Sequence, residues 1–280
     1  MKLIIHGGFF SESSTSLEVK HAKQNALKEI AGDSYEYFKT HTAVETVVYA
    51  VSLLENNILF NAGLGSQIQS DGKIRMSSSI HDGNSKKFSG VINVQNIQNP
   101  IRLAELLMQE DDRVLGAEGA NKYATEKNIP SYNPELPQRR KEYEEKVKSL
   151  GLGTVGCVAL DAEGKIAAAT STGGKGFELV GRISDSATAA GNFANNFAGV
   201  SCTGVGEDIV SVALATKIVT RISDGFSMEK AFEKSFFELK EIDGFAGAIC
   251  IEKDGSIYHQ DSHPYMVWAS CDEGIIECFQ

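Results

Sequence analysis

The chain has 280 residues, 42% hydrophobic and 23% charged, enough to bury a sizeable core and too ordinary in make-up for a disordered, collagen-like or coiled-coil protein. Thirty-seven acidic side chains against 27 basic give a net charge of −10, so a nucleic-acid backbone would be repelled, and neither Arg139-Arg140-Lys141 nor Lys86-Lys87 makes a patch large enough to reverse this. No apolar run approaches the ~20 residues of a membrane span, and the run ending at Ile5 is too short for a secretory signal core. Five widely spread cysteines predict reduced core residues and a cytoplasmic setting, and the absence of CxxC, HxH and HExxH leaves no sequence-legible metal site.

In chain order, Lys2 to Ile5 reads as a short buried strand ending at Gly7-Gly8. Ser14 to Ala31 has helical spacing, and Thr42 to Asn56 is a second helix with Thr42 as its cap. A glycine-punctuated loop, Leu59 to Ser66, leads to the serine run Ser77-Ser78-Ser79 and the turn Asp82-Gly83-Asn84. Phe88 to Val94 is strand-like, and Pro100 opens a helix carrying Leu103, Leu106 and Leu107. From Gln109 to Lys148 the chain grows polar and reads as a linker or exposed helix. Val200 to Cys202 is a short apolar element, Ile209 to Ser223 and Met228 to Ile242 are amphipathic helices, and four strand-like segments close the chain from Ala248 to Glu277. Strands and helices in blocks favour a layered α+β fold.

The chemistry concentrates in Gly153 to Asp161 and Ile166 to Gly174. Two apolar strands flank Asp161-Ala162-Glu163-Gly164-Lys165, a spacing suited to a β-hairpin. With the loop centred on Glu163, Thr154 and Thr172 become cross-strand neighbours, their Cβ atoms about 5 Å apart. A threonine hydroxyl is a weak nucleophile until a base takes its proton, and a free amine on the same residue is such a base. Cleavage between Gly153 and Thr154 would create that amine, and glycine has the backbone tolerance to present its carbonyl. By themselves the two threonines are also what any strand prefers. Gly151 to Gly156 matches G-x-G-x-x-G, but a dinucleotide site needs a strand before it and a helix after it, and here a charged segment and a hairpin stand there instead.

These residues resemble the plant-type asparaginase and isoaspartyl peptidase family of N-terminal-nucleophile hydrolases. The resemblance rests on Gly153 to Asp161, Ala168 to Gly174, Gly181 to Ser186 and Ser201 to Glu207, with weaker support from Ile5 to Gly8, Leu59 to Gly63 and Asn99 to Ile101. It implies a four-layer αββα sandwich in a single domain over 1–280, cleaved into an α chain, 1–153, whose linker covers about 128–153, and a β chain, 154–280. Two cleaved units would associate as a homodimer. Thr154 would be nucleophile and base and Thr172 its orienting hydroxyl. Thr203 and the Gly204 N–H would form an oxyanion hole, with Asn61 close to the nucleophile. Arg182 would hold the substrate α-carboxylate, a match for its planar fork, and Asp185 the ammonium, with Gly206 in the same substrate set. The resemblance implies an amino-acid or dipeptide substrate, no organic cofactor, and room for a structural monovalent cation such as sodium. An uncleaved, catalytically silent member acting as an amino-acid-binding or structural subunit is the alternative function.

Four segments depart from the family pattern. Ser77 and His81 stand in Met76 to Gly83 where the family has an acidic residue and methionine; Lys175 to Val180 replaces a polar stretch; Gly244 to Ala248 lacks a threonine and a glycine; and Ser262 to Tyr265 replaces an Asn-Thr pair. These changes bear on amide specificity.

Overall fold

The computed structural model describes residues 1–9, 17–146 and 153–280. The proposed start of the first helix at Ser14, the end of the linker at 147–152 and Gly151 of the glycine pattern lie outside the described residues.

The strands β1 (Lys2–Phe9), β2 (Met76–Asp82), β3 (Lys87–Val94), β4 (Val114–Gly116), β5 (Val155–Leu160), β6 (Ile166–Thr172), β11 (Met266–Asp272) and β12 (Ile275–Cys278) form one sheet. Its order is β12-β11-β1-β5-β6-β2-β3-β4, so the β5–β6 hairpin occupies the centre. The strands β7 (Asn192–Ala194), β8 (Ala198–Gly204), β9 (Ala246–Glu252) and β10 (Ile257–Asp261) form the second, in the order β10-β9-β8-β7.

Period-two alternation sorts the central strands by face. Leu3, Ile5, Cys157, Ala159, Ala167 and Ala169 pack with α1 (Leu17–Phe38) and α2 (Ala43–Glu55). Ile4, Val158, Ile166 and Ala168 turn the other way and meet Ile249 and Ile251 of the smaller sheet. The outer face of that sheet, with Val200, Cys202 and Ala248, is covered by α7 (Leu214–Ser223) and α8 (Met228–Lys240) through Ile218, Val219 and Phe232. A further cluster joins β2 and β3 to α3 (Pro100–Leu107) and α4 (Ala117–Glu126).

Local signals explain most boundaries. Thr42 caps α2 in a reciprocal capping box with Glu45, and Pro100 opens α3. The serine run, which the sequence leaves without an element, is the buried strand β2: Ser78 Oγ donates to the Thr170 carbonyl, Ser79 Oγ to that of Ser186, and Ser77 Oγ accepts from Asn93 N. Likewise the polar stretch from Gln109 is not exposed throughout, because β4 extends the sheet edge and Ala120 and Ala124 of α4 are buried on the core. Further on, α5 (Pro137–Glu144) is short and carries no buried residue. Its Arg139 Nε donates to the Gly65 carbonyl and its neighbour Tyr143 OH to that of Ser70. Four of the five cysteines are buried and all are free.

The helix expected over 209–223 is two helices, α6 (Gly206–Val212) and α7, separated by Ala213 in the left-handed conformation, φ +51°. At the break the Ala190 carbonyl accepts Ala215 N–H at 2.9 Å and the Ala189 carbonyl accepts Thr216 Oγ1 at 2.6 Å, so tertiary partners cap α7 where no side-chain cap exists. An L-residue in this conformation costs about 1–2 kcal/mol, partly balanced by the freer unfolded chain of a glycine replacement. Ala213→Gly is therefore expected to stabilise the fold by roughly 0.5–1 kcal/mol, read as a higher urea midpoint at unchanged slope; a lower midpoint would contradict the assignment of strain.

Candidate active site

The hairpin register pairs Val155 with Ser171 and Leu160 with Ile166, so continuing it places Thr154 opposite Thr172, as the sequence symmetry predicts. Both threonines are buried, and Thr154 Oγ1 donates to Thr172 Oγ1 at 3.2 Å. Thr172 Oγ1 also accepts the Gly174 N–H at 3.3 Å, which holds it in place while leaving its own proton to be directed elsewhere.

Asn61 stitches the two ends of the hairpin together. Its N–H donates to the Gly153 carbonyl at 3.1 Å, its carbonyl accepts Gly173 N–H at 2.9 Å, and its Nδ2 donates to the Gly174 carbonyl at 2.5 Å. Gly153 has to be glycine here, since a Cβ would stand 2.6 Å from that of Asn61. Asn61 thus contacts the bond that precedes Thr154 rather than lying free in its loop.

Arg182, Asp185 and Gly206 converge on a second locus. A Cβ on Gly206 would lie 2.6 Å from Asp185 Oδ1 and 2.7 Å from Arg182 Nη2, so the glycine keeps open the space between carboxylate and guanidinium. Arg182 does not form an exposed pair with Asp185. Its Nε and Nη2 donate to the two oxygens of Glu207, each at 3.1 Å, and Lys175 Nζ reaches the same carboxylate. Burial would raise the Glu207 carboxyl; the hydrogen bonds from Arg182 and Lys175 outweigh it and hold it at about 2. Burial also acts on Asp185, and there it wins: opposed by Arg182 and Ser184, it pushes the carboxyl up to about 6. Among the described residues, Asp185 Oδ2 and Thr203 Oγ1 are buried side-chain oxygens without a hydrogen-bond partner. Thr203 and Gly204 end β8, which crosses the hairpin through Ser201, whose Oγ lies 2.7 Å from Thr170 Oγ1.

The departing segments are accounted for in part. His81 lies outside the site: its ring stands edge-on to Phe88 and Phe193, its Nδ1 accepts Ala194 N–H, and burial lowers it to about 4. Ser77, by contrast, is the direct partner of Thr172 on the next strand. Phe245 and His263 stack at 4.7 Å, so two departures pack against each other, and the Phe245 carbonyl accepts Val205 N–H beside Gly204. Phe177 stacks on Tyr143 of α5.

Sequence reasoning missed three residues. His6 Nδ1 lies 3.0 Å from the Thr154 carbonyl, a contact hinted at only by a histidine closing a buried strand. Glu207 holds Arg182. Glu55 is fully buried behind the hairpin, where it accepts from Ser171 Oγ, Asn99 Nδ2 and Ile101 N–H; burial raises its carboxyl to about 7 against those bonds.

A nucleophile-like hydroxyl pair, a fixed guanidinium beside a buried carboxylate, and an unpartnered hydroxyl are the parts from which an acyl transfer site is made. The family model described as Asparaginase matches residues 1–149 and 136–279. An isoaspartyl peptidase/L-asparaginase of Synechocystis sp. is 44% identical, covering 96% of this chain and 87% of that protein. One of Homo sapiens is 35% identical over 97% and 93%, and a plant-type L-asparaginase of Pyrococcus furiosus 32% over 98% and 97%. This chain therefore belongs to the asparaginase family.

Proposed function

We propose that the chain is a threonine-nucleophile hydrolase that releases Thr154 by cutting its own Gly153–Thr154 bond and then hydrolyses L-asparagine or β-aspartyl dipeptides. The observation that carries this reading is the buried Thr154–Thr172 hydroxyl pair at the mouth of the central hairpin. The stacking of helices, large sheet, small sheet and helices supports the αββα sandwich that the family resemblance implies, and that resemblance also implies pairing of two cleaved units. The free cysteines support a cytoplasmic setting.

In self-cleavage, Thr154 Oγ adds to the Gly153 carbonyl carbon, whose oxygen already accepts the Asn61 N–H. The C–N bond breaks as the amine takes up a proton, leaving an ester that water hydrolyses to a Gly153 carboxylate and a free Thr154 amine. That amine, with an unperturbed pKa near 8, becomes the base for the adjoining hydroxyl. Glu207 occupies only the Nε–Nη2 edge of Arg182, so the Nη1 edge remains for a substrate α-carboxylate. The Asp185 carboxylate receives the α-ammonium, and Thr203 Oγ1 with Gly204 N–H receives the side-chain carbonyl oxygen. Thr154 attacks that carbonyl, ammonia or an amino acid departs with the proton, and water cleaves the acyl-enzyme to aspartate.

A structural monovalent cation fits the same reading. In the loop from Glu55 to Ser66, a Cβ on Gly63 would strike the Glu55 carbonyl and one on Gly65 the Phe60 carbonyl, with that of Ile58 also near. Neutral carbonyl oxygens suit an alkali ion. Glu55, Ile58 and Phe60 would hold it through their carbonyls, stiffening the loop that presents Asn61.

Intact mass should resolve fragments 1–153 and 154–280 in the wild type, with Thr154→Ala remaining whole; a wild-type chain that stays uncut under every condition would sink the proposal. Arg182→Lys loses the planar fork and two charge-assisted hydrogen bonds, and kcat/KM should fall by roughly tenfold to a hundredfold; unchanged kinetics would remove Arg182 from the clamp. Asp185 must ionise to bind an ammonium, so kcat/KM should drop as pH falls below about 6. Its stability effect has the opposite direction. Folded Asp185 binds its proton more tightly than the unfolded side chain, which titrates near 4, so its contribution is full below about 4 and lost as pH rises through about 6. Asp185→Asn should accordingly abolish turnover yet raise the thermal midpoint at pH 7, and a lowered midpoint there would contradict the uncompensated burial.

A further inference from the structure

Across the large sheet, His6 of β1, Gly156 of β5, Thr170 of β6 and Ser79 of β2 stand in one row. The row faces the smaller sheet, as Ile4 and Val158 do two residues away on their strands. Gly156 leaves a hole in it. A Cβ there would collide with Ser201 Oγ and stand 2.5 Å from His6 Nε2, because the Ser201 hydroxyl reaches across from β8 to fill the gap. In it, Ser201 Oγ lies 2.9 Å from His6 Nε2 and 2.7 Å from Thr170 Oγ1. The second glycine of the Gly-Thr-Val-Gly stretch is thereby explained by packing rather than by a turn.

The direction of every proton in this chain follows from one end. The Thr154 carbonyl can only accept, so His6 Nδ1 carries the hydrogen. Burial, only partly opposed by that bond, lowers the ring to about 3, which keeps it neutral and makes Nε2 an acceptor. Ser201 must then donate to Nε2, and Thr170 to Ser201.

The β1–β5 ladder ends at His6 and Gly156, two residues short of Thr154. The Thr154 carbonyl consequently takes its hydrogen bond from the His6 imidazole, above the last backbone pair. We propose that His6 is the positioning residue of the nucleophile: its Nδ1–H fixes the Thr154 carbonyl, and Ser201 and Thr170, seated in the space left by Gly156, fix the ring. Holding that carbonyl sets the backbone torsion of Thr154 and with it the orientation of its nitrogen and hydroxyl toward Thr172. The inference rests on the reading of Thr154 as the nucleophile. A displacement of about 1 Å at a reacting group costs on the order of a hundredfold in rate.

The test separates the hydrogen bond from the bulk of the ring. Asparagine places an N–H where Nδ1 stands; glutamine places it nearer Nε2; leucine supplies none. With a β-aspartyl dipeptide as substrate, His6→Asn is expected to retain kcat within about tenfold of wild type. His6→Gln and His6→Leu should lose roughly a hundredfold in kcat with KM changed less than about twofold, and should cut before Thr154 correspondingly slowly. Equal losses in His6→Asn and His6→Leu, or wild-type kcat in His6→Leu, would overturn the proposal. Nitrogen-15 NMR of the wild-type chain gives a readout independent of turnover. The signal that vanishes in His6→Asn should be that of a neutral Nδ1–H tautomer between pH 5 and 8; an Nε2–H or doubly protonated ring would refute the inference. If the wild-type protein neither cuts itself nor hydrolyses the dipeptide, the functional reading fails, while the tautomer still decides whether His6 holds the Thr154 carbonyl.

Discussion

Packed sheets lie about 10 Å apart, a gap that apolar side chains normally fill, so a short hydroxyl on one sheet comes within reach of the other where a side chain is missing. This constraint governs the site. Gly156 on β5 admits the Ser201 hydroxyl, and Gly199 on β8 answers it from the other side, where a Cβ would stand 2.7 Å from Ile166 Cγ2 and 2.9 Å from Val158 Cγ1. The two glycines let the sheets close on each other along the β5–β6 hairpin, Gly156 near the start of β5 and Gly199 toward its far end. That closeness brings β8, and with it Thr203 and Gly204, to the strand that Thr154 begins. A site made of hydroxyls from two sheets depends on two absent side chains.

The polar groups so gathered are not placed for stability. A buried donor or acceptor without a partner costs about 1–3 kcal/mol, and both Asp185 Oδ2 and Thr203 Oγ1 are in that state among the described residues. Nor does the Arg182–Glu207 pair offset much, since the Glu207 side chain is 48% exposed and surface ion pairs contribute about 0–1 kcal/mol. What Glu207 contributes is geometry: a guanidinium already pinned along one edge loses little freedom when its other edge is engaged. The apolar clusters on both faces of the large sheet carry the stability that these groups subtract.

Much of this was legible because it repeats along the chain. Period two and a symmetric loop were enough to pair Thr154 with Thr172, and the capping residue and proline signals at Thr42 and Pro100 marked true helix starts. What escaped was set by partners distant in sequence. The β2 serines gave no strand signal because their hydroxyl acceptors, the Thr170 and Ser186 carbonyls, lie about a hundred positions away. The break at Ala213 has no local cause, since its caps come from Ala189 and Ala190. His6 and Glu207 stood inside quoted motifs, yet only folding shows what each one touches. The roles of Thr203, Gly204 and Asp185 came from resemblance, and geometry adds the unpartnered Thr203 Oγ1 and Asp185 Oδ2 among the described residues.

The strand β6 shows how such a site is tied to the rest of the molecule. Thr170 and Thr172 face the smaller sheet, one bonded to Ser201 and the other to Thr154. Ser171, between them, faces the helices and donates to Glu55, which in turn accepts the Ile101 N–H at the start of α3 and the Asn99 amide. A shift of α2 against α3 would therefore pull on Ser171 and, through a single peptide on either side, on both threonines. Burying a carboxyl at this point costs free energy that an apolar residue would avoid, but an apolar residue would supply no directional bond between the helices and the strand. Alternation thus lets one strand face the chemistry with its even-numbered residues and, with the odd-numbered Ser171, fasten itself to the helical layer.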